Sequence, residues 1–183
     1  MAFLMAAQVC NAAVVPSGSG YDPRNQNVNY NPQNTTVINS AVGYTTTLVF
    51  DEDEQVISAR TGFPQGWTVN KEDNLVYVEV KPVKQTVQNN STDENGKKSS
   101  EIVNVALDPE NDLERWRTNL FVRTTKRNYS MELNARTFSQ PNKIAFVVNY
   151  QYPQEKRKAQ ADIEKKRIEA LNKRKEEQTI NQA

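Results

Sequence analysis

Hydrophobic and polar residues alternate one by one in several short stretches of the chain. The clearest stretch is residues 144–152, in which the even-numbered positions from Phe146 to Tyr152 are aromatic or β-branched and share one face. Such an alternation is typical of a β-strand that is covered on one side. Pro153 ends the pattern, and the residues after it have a different character. The sequence therefore predicts a strand here and a structural boundary directly behind it.

Two alternating runs upstream, residues 119–123 and 129–133, flank a short polar connection and so predict an antiparallel hairpin. Similar runs elsewhere are separated by turn residues and lack the spacing of βαβ units. Together these features predict an all-β fold, an antiparallel β-sandwich over residues 21–153, followed by a charged C-terminal α-helix. The predicted core residues are Phe50, Trp67, Val78, Leu120, Leu133, Phe146 and Val148.

Residues 84–117 form a long insertion between strands of this sandwich. Within it, residues 88–100 are polar and show no periodicity, and they offer too little apolar surface to offset their ordering entropy. We therefore expect residues 88–100 to be mobile and removable. Residues 102–107 form an apolar island that is compatible with a short strand.

Residues 155–178 are rich in Glu, Lys, Arg, Gln and Ala and contain neither Gly nor Pro, which predicts a helix. Residues 155–177 carry nine basic and six acidic side chains, and their few apolar positions form at most a thin stripe along Ala161, Ile168 and Leu171. The basic clusters could contact nucleic acid or anionic lipid, but the interleaved acids favour a solvated, salt-bridged helix. We expect it to act as a linker or extension and to have no specific affinity for nucleic acid.

The amino-acid composition excludes several kinds of functional site. The 183 residues include no histidine, which excludes His-based triads, His metal sites and His pH switches. Cys10 is the single cysteine, so the chain has no internal disulfide. The net charge is +1, and no basic field over the whole body points to nucleic acid.

Residues 1–13 contain a short apolar run followed by small residues, and they resemble a secretory signal peptide cleaved near Ala12 or Ala13. No Lys or Arg precedes the run, so an uncleaved, disordered apolar N-terminus is the alternative. No later stretch approaches the ~18 apolar residues of a membrane-spanning helix. We therefore expect no transmembrane segment in the mature chain.

Two acidic segments are candidate sites. Residues 51–54 hold four carboxylates in a row, a pattern that favours a solvated turn over a catalytic pair with separated pKa values. Residues 108–114 have the alternating acids of a calcium loop. However, Leu113 stands where the EF-hand pattern needs glycine, and Asn119 stands where it needs a bidentate acid. We therefore predict no catalytic, cofactor-binding or metal-binding residues, and no enzymatic activity.

The two tryptophans are candidate platforms for ligand stacking. Large aromatic residues beside strands are more often core anchors, which is the interpretation for Trp67. Trp116 lies between Arg115 and Arg117, which favours a half-exposed interface role. One alternative function is therefore a periplasmic or surface β-sandwich module that binds carbohydrate or peptide through Trp67 or Trp116. A hydrolase using Asp and Glu alone is disfavoured, because no convergent pair of acids is visible.

An ordered series of short motifs resembles the TrbG/CagX family, the periplasmic ring subunits of type IV secretion and conjugation machines. The matching segments are Asp22-Pro23-Arg24, Tyr30-Asn31-Pro32, the strand residues Gly43, Thr46, Leu48 and Phe50, then Glu54 with Val56, the lone Trp67, the strand ending in Lys81-Pro82, Thr118-Asn119-Leu120 with Val122-Arg123-Thr124, Arg127-Asn128-Tyr129 with Leu133, and Phe146 with Tyr152-Pro153. The insertion at residues 84–117 is much longer than the family's usual connection.

The resemblance implies a β-sandwich N-terminal domain with a linker helix and no enzyme activity. It implies a structural role in the outer-membrane core complex of a type IV secretion or conjugative transfer system, in the periplasm. There the chain would assemble with copies of itself as a ring around the transport channel. The implied partners are an inner-membrane-anchored scaffold subunit and a small lipoprotein. The family normally has a second β-domain after the helix, which docks at the outer membrane.

Overall fold

The computed structural model describes residues 13–180 of the chain. Most of the segment predicted to be a signal peptide, residues 1–12, lies outside this range. The chain divides into two compact units, one running to Tyr150 and the other beginning at Gln151. In chain order the strands are β1 (Ser17–Gly18), β2 (Asn25–Asn29), β3 (Thr35–Ala41), β4 (Thr45–Val49), β5 (Val56–Thr61), β6 (Trp67–Glu72), β7 (Leu75–Val80), β8 (Val83–Thr92), β9 (Lys98–Leu107), β10 (Thr118–Thr124), β11 (Asn128–Arg136) and β12 (Val147–Gln151).

Ten of these strands form the two sheets of the first unit. One sheet has six strands in the order β1-β2-β12-β4-β7-β6, and the other has four in the order β3-β11-β10-β5. The side chains between the sheets are those that period-two alternation places on one face of each strand, such as Leu48, Val78, Leu120, Met131 and Leu133, all of which are buried. The predicted β-sandwich is confirmed.

Not every strand pair is antiparallel. β10 and β11 form the predicted antiparallel hairpin. β11 runs parallel to β3, and β12 runs parallel to β4. Both parallel pairs join segments that are far apart in sequence. The alternation of residues within one strand therefore does not show which distant strand it pairs with, or in which direction.

Six of the seven predicted core residues are buried, and Phe146 is the exception. Phe146 immediately precedes β12, and its ring is half-buried beside Tyr44 and under the guanidinium of Arg24. The alternation of residues 144–152 had placed it on the core face. Regular burial of the even-numbered residues begins at Val148, where β12 is paired with a strand on each side.

The insertion is more ordered than its composition suggests. β8 and β9 pair antiparallel in one register over their whole length, from Val83 opposite Leu107 to Thr92 opposite Lys98. The connecting turn is built by Asp93, whose Oδ1 accepts hydrogen bonds from the backbone N–H groups of Asn95 and Lys97, and by Gly96 at φ 77°. Main-chain pairing and turn chemistry thus give residues 88–100 a regular hairpin that their composition did not indicate, although they bury no apolar side chain. That these residues are mobile and removable stays a prediction.

The second unit contains one helix, α1 (Pro153–Ile180). Proline suits the first helical position, where its missing N–H costs no hydrogen bond. Residues 154–178 of this helix are exposed, including Ile163, Ile168 and Leu171. Glu164 pairs with Arg167 across 3.7 Å. The predicted charged, solvated helix is confirmed.

Candidate interaction surfaces

The Asp22-Pro23-Arg24 motif holds the ends of two strands together. Arg24 donates from Nε and Nη2 to the two carboxylate oxygens of Asp22, each across 2.9 Å, and its backbone N–H donates to Oδ1 at the same distance. These hydrogen bonds lower the pKa of the Asp22 carboxyl and raise the pKa of Arg24. The carbonyl oxygen of Arg24 accepts from the backbone N–H of Phe146 (2.8 Å) and of Val147 (3.2 Å). The motif thus fixes the start of β12 against the approach to β2.

An aromatic cluster lies on the surface next to this motif. The Tyr44 ring stacks on Phe138 and on Phe146 at centroid distances of 4.7 and 5.4 Å. Arg24 lies 4.6 Å from the centroid of Phe146, within cation–π range. Tyr44 and Phe138 keep 43% and 39% exposure, so the cluster is half open to solvent.

The acidic turn at residues 51–54 is not uniformly solvated, contrary to its interpretation from sequence. Glu54 is 1% exposed. Its carboxylate accepts hydrogen bonds from Thr124 Oγ1 (2.5 Å) and Tyr129 Oη (2.5 Å), and it pairs with Arg127 Nη1 across 2.9 Å. A buried carboxylate needs such partners, because desolvation would otherwise disfavour its charge. The burial of Glu54 was missed because a run of four acids indicates a solvated turn. Its position beside a strand was the one signal in the sequence that favoured burial.

Two other acids of the turn, Asp51 and Asp53, interact with cations near the surface. Asp53 forms an ion pair with Lys126, which lowers the pKa of the Asp53 carboxyl. Asp51 lies 3.6 Å from Arg127 Nη2. The turn therefore joins the β4–β5 connection to the β10–β11 connection by charge.

The two tryptophans form one buried unit. Trp67 Nε1 donates to the backbone oxygen of Trp116 (2.8 Å), and Trp116 Nε1 donates to the backbone oxygen of Lys81 (2.9 Å). Trp67 is 2% exposed, in agreement with its predicted core position, and Trp116 is 1% exposed. The predicted half-exposed interface role of Trp116 was wrong, because its charged neighbours point away while the indole points inward. Neither indole is available as a stacking platform for a ligand.

The acids of residues 108–114 cap and pair with nearby groups. Asp108 Oδ1 accepts from the backbone N–H of Glu110, which begins a short 3-10 turn. Asp112 pairs with Arg115 across 3.4 Å, and Glu114 pairs with Arg117 at the same distance. Across residues 13–180, no group of three or more acidic or cysteine side chains is arranged to hold a metal ion.

A polar cleft of about 370 Å³ lies beside the end of β11. Its lining includes two cations, Arg136 and Lys143, and no carboxylate. Arg136 is partly engaged, since its Nε donates to Asn39 Oδ1 across 3.2 Å. The lining offers hydrogen-bond donors and positive charge, but no nucleophile with an adjacent base.

Comparison with known proteins agrees with this architecture. The family model CagX, described as a conjugal transfer protein, matches residues 23–181. The chain belongs to the CagX family. The resemblance that the motifs indicated is thereby confirmed over most of the chain.

Several proteins that are similar to this CagX-family chain are named as type IV secretion system proteins. It is 29% identical over 142 residues to the type IV secretion system protein virB9 of Brucella abortus, an alignment covering 78% of this chain and 44% of the relative. It is 31% identical over 146 residues to the type IV secretion system protein PtlF of Bordetella pertussis, covering 76% of this chain and 47% of the relative. The chain thus spans less than half the length of these relatives.

Two exposed features of this CagX-family chain were not found from sequence. The outer face of the four-stranded sheet carries Phe121, 46% exposed, between Arg60 on β5 and Ser130 on β11. In the β8–β9 hairpin, Val103, Val105 and Leu107 stand at alternate positions of β9, and Val83 and Val87 lie opposite this row on β8. The sequence indicated only a short apolar island in β9 and gave no sign of its pairing with β8. Within residues 13–180, no helix is both long and apolar enough to cross a membrane.

Proposed function

We propose that this chain is a structural subunit of the core complex of a type IV secretion or conjugative transfer system. In this proposal the chain resides in the periplasm, associated with the outer membrane, and its copies assemble as a ring around the transport channel. The observation that carries the proposal is the match to the CagX family over residues 23–181, supported by relatives named as type IV secretion system proteins.

The structure and the charge of the chain suit a subunit that works by assembling with other copies. The sandwich has edge strands, such as β6, where another strand can add. The net charge of +1 allows many copies to pack without strong mutual repulsion. The buried acid Glu54 is bonded to Thr124, Arg127 and Tyr129, so its oxygens serve the fold. We accordingly propose no catalytic role for the chain.

The proposed neighbours are other copies of the chain, an inner-membrane-anchored scaffold subunit and a small lipoprotein. The exposed helix α1 is the proposed route to another layer or domain, because its charged surface suits a linker more than a buried element. Heterologous contacts between identical subunits close into a ring when the rotation between them closes.

Cysteine cross-linking in cells tests the proposal. Cysteines replace Arg157 or Lys166, both exposed on α1, in a Cys10→Ser background. We expect ladders of self-linked chains, or adducts with a scaffold subunit, when the rest of the machine is present. The Cys10→Ser chain alone, and the same variants in cells lacking the machine, are the controls. A chain that stays monomeric beside the complete machine would reject the proposal.

A further inference from the structure

The β8–β9 hairpin is a regular structure whose outer part has no covering surface, whereas Val83, Val103 and Leu107 near its base are half-buried. Residues 84–102 are exposed along its whole outer part, and Ile102 keeps 70% exposure. A lone two-stranded hairpin is marginally stable in water, since each strand has one unpaired edge and neither face is buried. The paired register of this hairpin therefore suits an element that another surface covers in the assembled state.

The two faces of the hairpin differ in character. Strand pairing places five aliphatic side chains on one face, here named the valine face: Val83 opposite Leu107, Val87 opposite Val103, and Val105 opposite Gln85. Farther toward the tip, this face continues with Glu101 opposite Asn89. The opposite face carries Lys84, Thr86, Gln88 and Asn90 along β8, with Ile102 as its large apolar residue. The valine face is thus apolar near the base and carries one negative charge farther out.

The outer face of the four-stranded sheet has the complementary character. Its centre is Phe121, which stands beside Arg60 on β5, and Arg123 follows two residues along β10. All three side chains are exposed. We name this surface the phenylalanine face. It combines an exposed aromatic ring with two positive charges, whereas the valine face combines aliphatic groups with one negative charge. The carboxylate of Glu132 also lies on the phenylalanine face, but it is paired with Arg117 across 3.1 Å.

We propose that the valine face of one copy packs on the phenylalanine face of a neighbouring copy, with Glu101 near Arg60 and Arg123. This rests on the proposed function, because it assigns the contact between copies in the ring. The two faces are different surfaces of one chain, so the contact is heterologous, the kind that generates rings. Strands of ten residues offer roughly 300 Å² on one face. That area is well below the ~800 Å² per partner of a stable interface, so the contact works only together with others in the closed assembly.

The test uses the full chain in cells that hold the rest of the machine, with Cys10→Ser as background. Two differently tagged chains are co-expressed, one with Val105→Cys and the other with Phe121→Cys, and cells are treated with a short bismaleimide. We expect a mixed product joining the two tags, and less product from either variant alone. The matched control is Ile102→Cys paired with Phe121→Cys, because Ile102 is more exposed than Val105 but points to the opposite face.

A charge exchange tests the identity of the covering surface. Glu101→Arg in the first chain should lower the mixed product about two- to fivefold, the effect expected of one exposed ion pair. Arg123→Glu in the second chain should restore it. Both positions are exposed, so the fold tolerates these changes.

Each other outcome overturns the inference. Equal linking from Ile102→Cys means that the contact is unspecific, and linking of Val105→Cys to a different protein means that another partner covers the hairpin. If Arg157→Cys and Lys166→Cys still form ladders while the mixed product is missing, the ring stands and this contact is wrong. If the helix cysteines also fail to link, the proposed function itself falls and this inference falls with it.

Discussion

The indole of Trp67 donates its N–H to the backbone oxygen of Trp116 across 2.8 Å, so the two tryptophans of the chain act as one structural element. Trp67 begins β6, whereas Trp116 lies at the end of the long insertion, directly before β10. The second indole continues the chain of hydrogen bonds to Lys81, which follows β7. The insertion therefore returns to the body through a buried anchor, although its hairpin is exposed.

The first prediction concerns this anchor. Trp67→Ala should lower the free energy of unfolding by ~3–5 kcal/mol, because it removes a buried ring and leaves a cavity. Trp67→Phe should cost less, since it keeps much of the ring volume but leaves the Trp116 oxygen without its donor. Urea unfolding followed by circular dichroism measures both. Phe121→Ala, at an exposed aromatic position, is the control, and a Trp67→Ala chain as stable as that control would contradict the buried position.

Much of the sandwich could be predicted from the sequence, because period-two alternation is a local property. This alternation correctly predicted strands β4, β7, β10 and β11 and most of the core residues. The parallel pairing of β3 with β11 could not be predicted, since it depends on which distant segments meet. Phe146 was misassigned because alternation does not show where a strand begins to be paired.

The interaction surfaces were harder to predict than the fold. Glu54 is a buried carboxylate in a run of acids that reads as solvated, and its burial depends on Arg127 and Tyr129 from a distant hairpin. Trp116 was assigned from its charged neighbours, but in a tight 3-10 turn adjacent side chains point in different directions. The β8–β9 hairpin is held by main-chain pairing, which composition does not report.

The second prediction concerns the buried ion pair between Glu54 and Arg127. Glu54→Gln should lower the free energy of unfolding by up to ~3–5 kcal/mol, because the largely buried Arg127 loses the nearer of its two carboxylate partners and keeps only Asp51 at 3.6 Å. Adding Arg127→Met should recover part of this loss, which a double-mutant cycle measures by urea unfolding. Asp53→Asn is the control and should leave the unfolding midpoint nearly unchanged, since the Asp53–Lys126 pair is exposed and screened by solvent. An unchanged midpoint for Glu54→Gln would show that the pair is not needed.

The third prediction concerns pH and the Asp22–Arg24 pair. Hydrogen bonds from Arg24 lower the pKa of Asp22 below its usual 3.8 in the folded chain. A lowered folded-state pKa stabilises the fold at pH values above the ordinary pKa of the Asp22 carboxyl, and this contribution is lost as the pH falls through the lowered pKa. NMR titration of the Asp22 carboxyl should therefore give a midpoint below 3.8.

Two matched variants keep Asp22 and change only Arg24, whose side chain donates hydrogen bonds to the Asp22 carboxylate. Arg24→Gln should return the Asp22 midpoint toward its usual value, because the charged fork is lost. Arg24→Lys should give an intermediate midpoint, since a lysine keeps the charge but cannot donate both parallel hydrogen bonds. If Arg24→Gln left the midpoint where it is in the original chain, the assigned cause of the shift would be wrong.

The last prediction separates the hairpin tip from the anchor behind it. Replacing residues 88–100 with a short Gly-Ser link should change the thermal unfolding midpoint by less than ~2–4 °C, the shift that ~1 kcal/mol produces in a chain of this size. The physical reason is that these residues bury no side chain, and that the cost of closing a surface loop depends only weakly on its length. A deletion extended through residues 84–117 removes Trp116 as well and should unfold the chain or lower the midpoint strongly, because Trp67 would lose its acceptor and its packing. Scanning calorimetry of the two deletions side by side makes the comparison, and a collapse of the shorter one would show that the hairpin tip supports the fold.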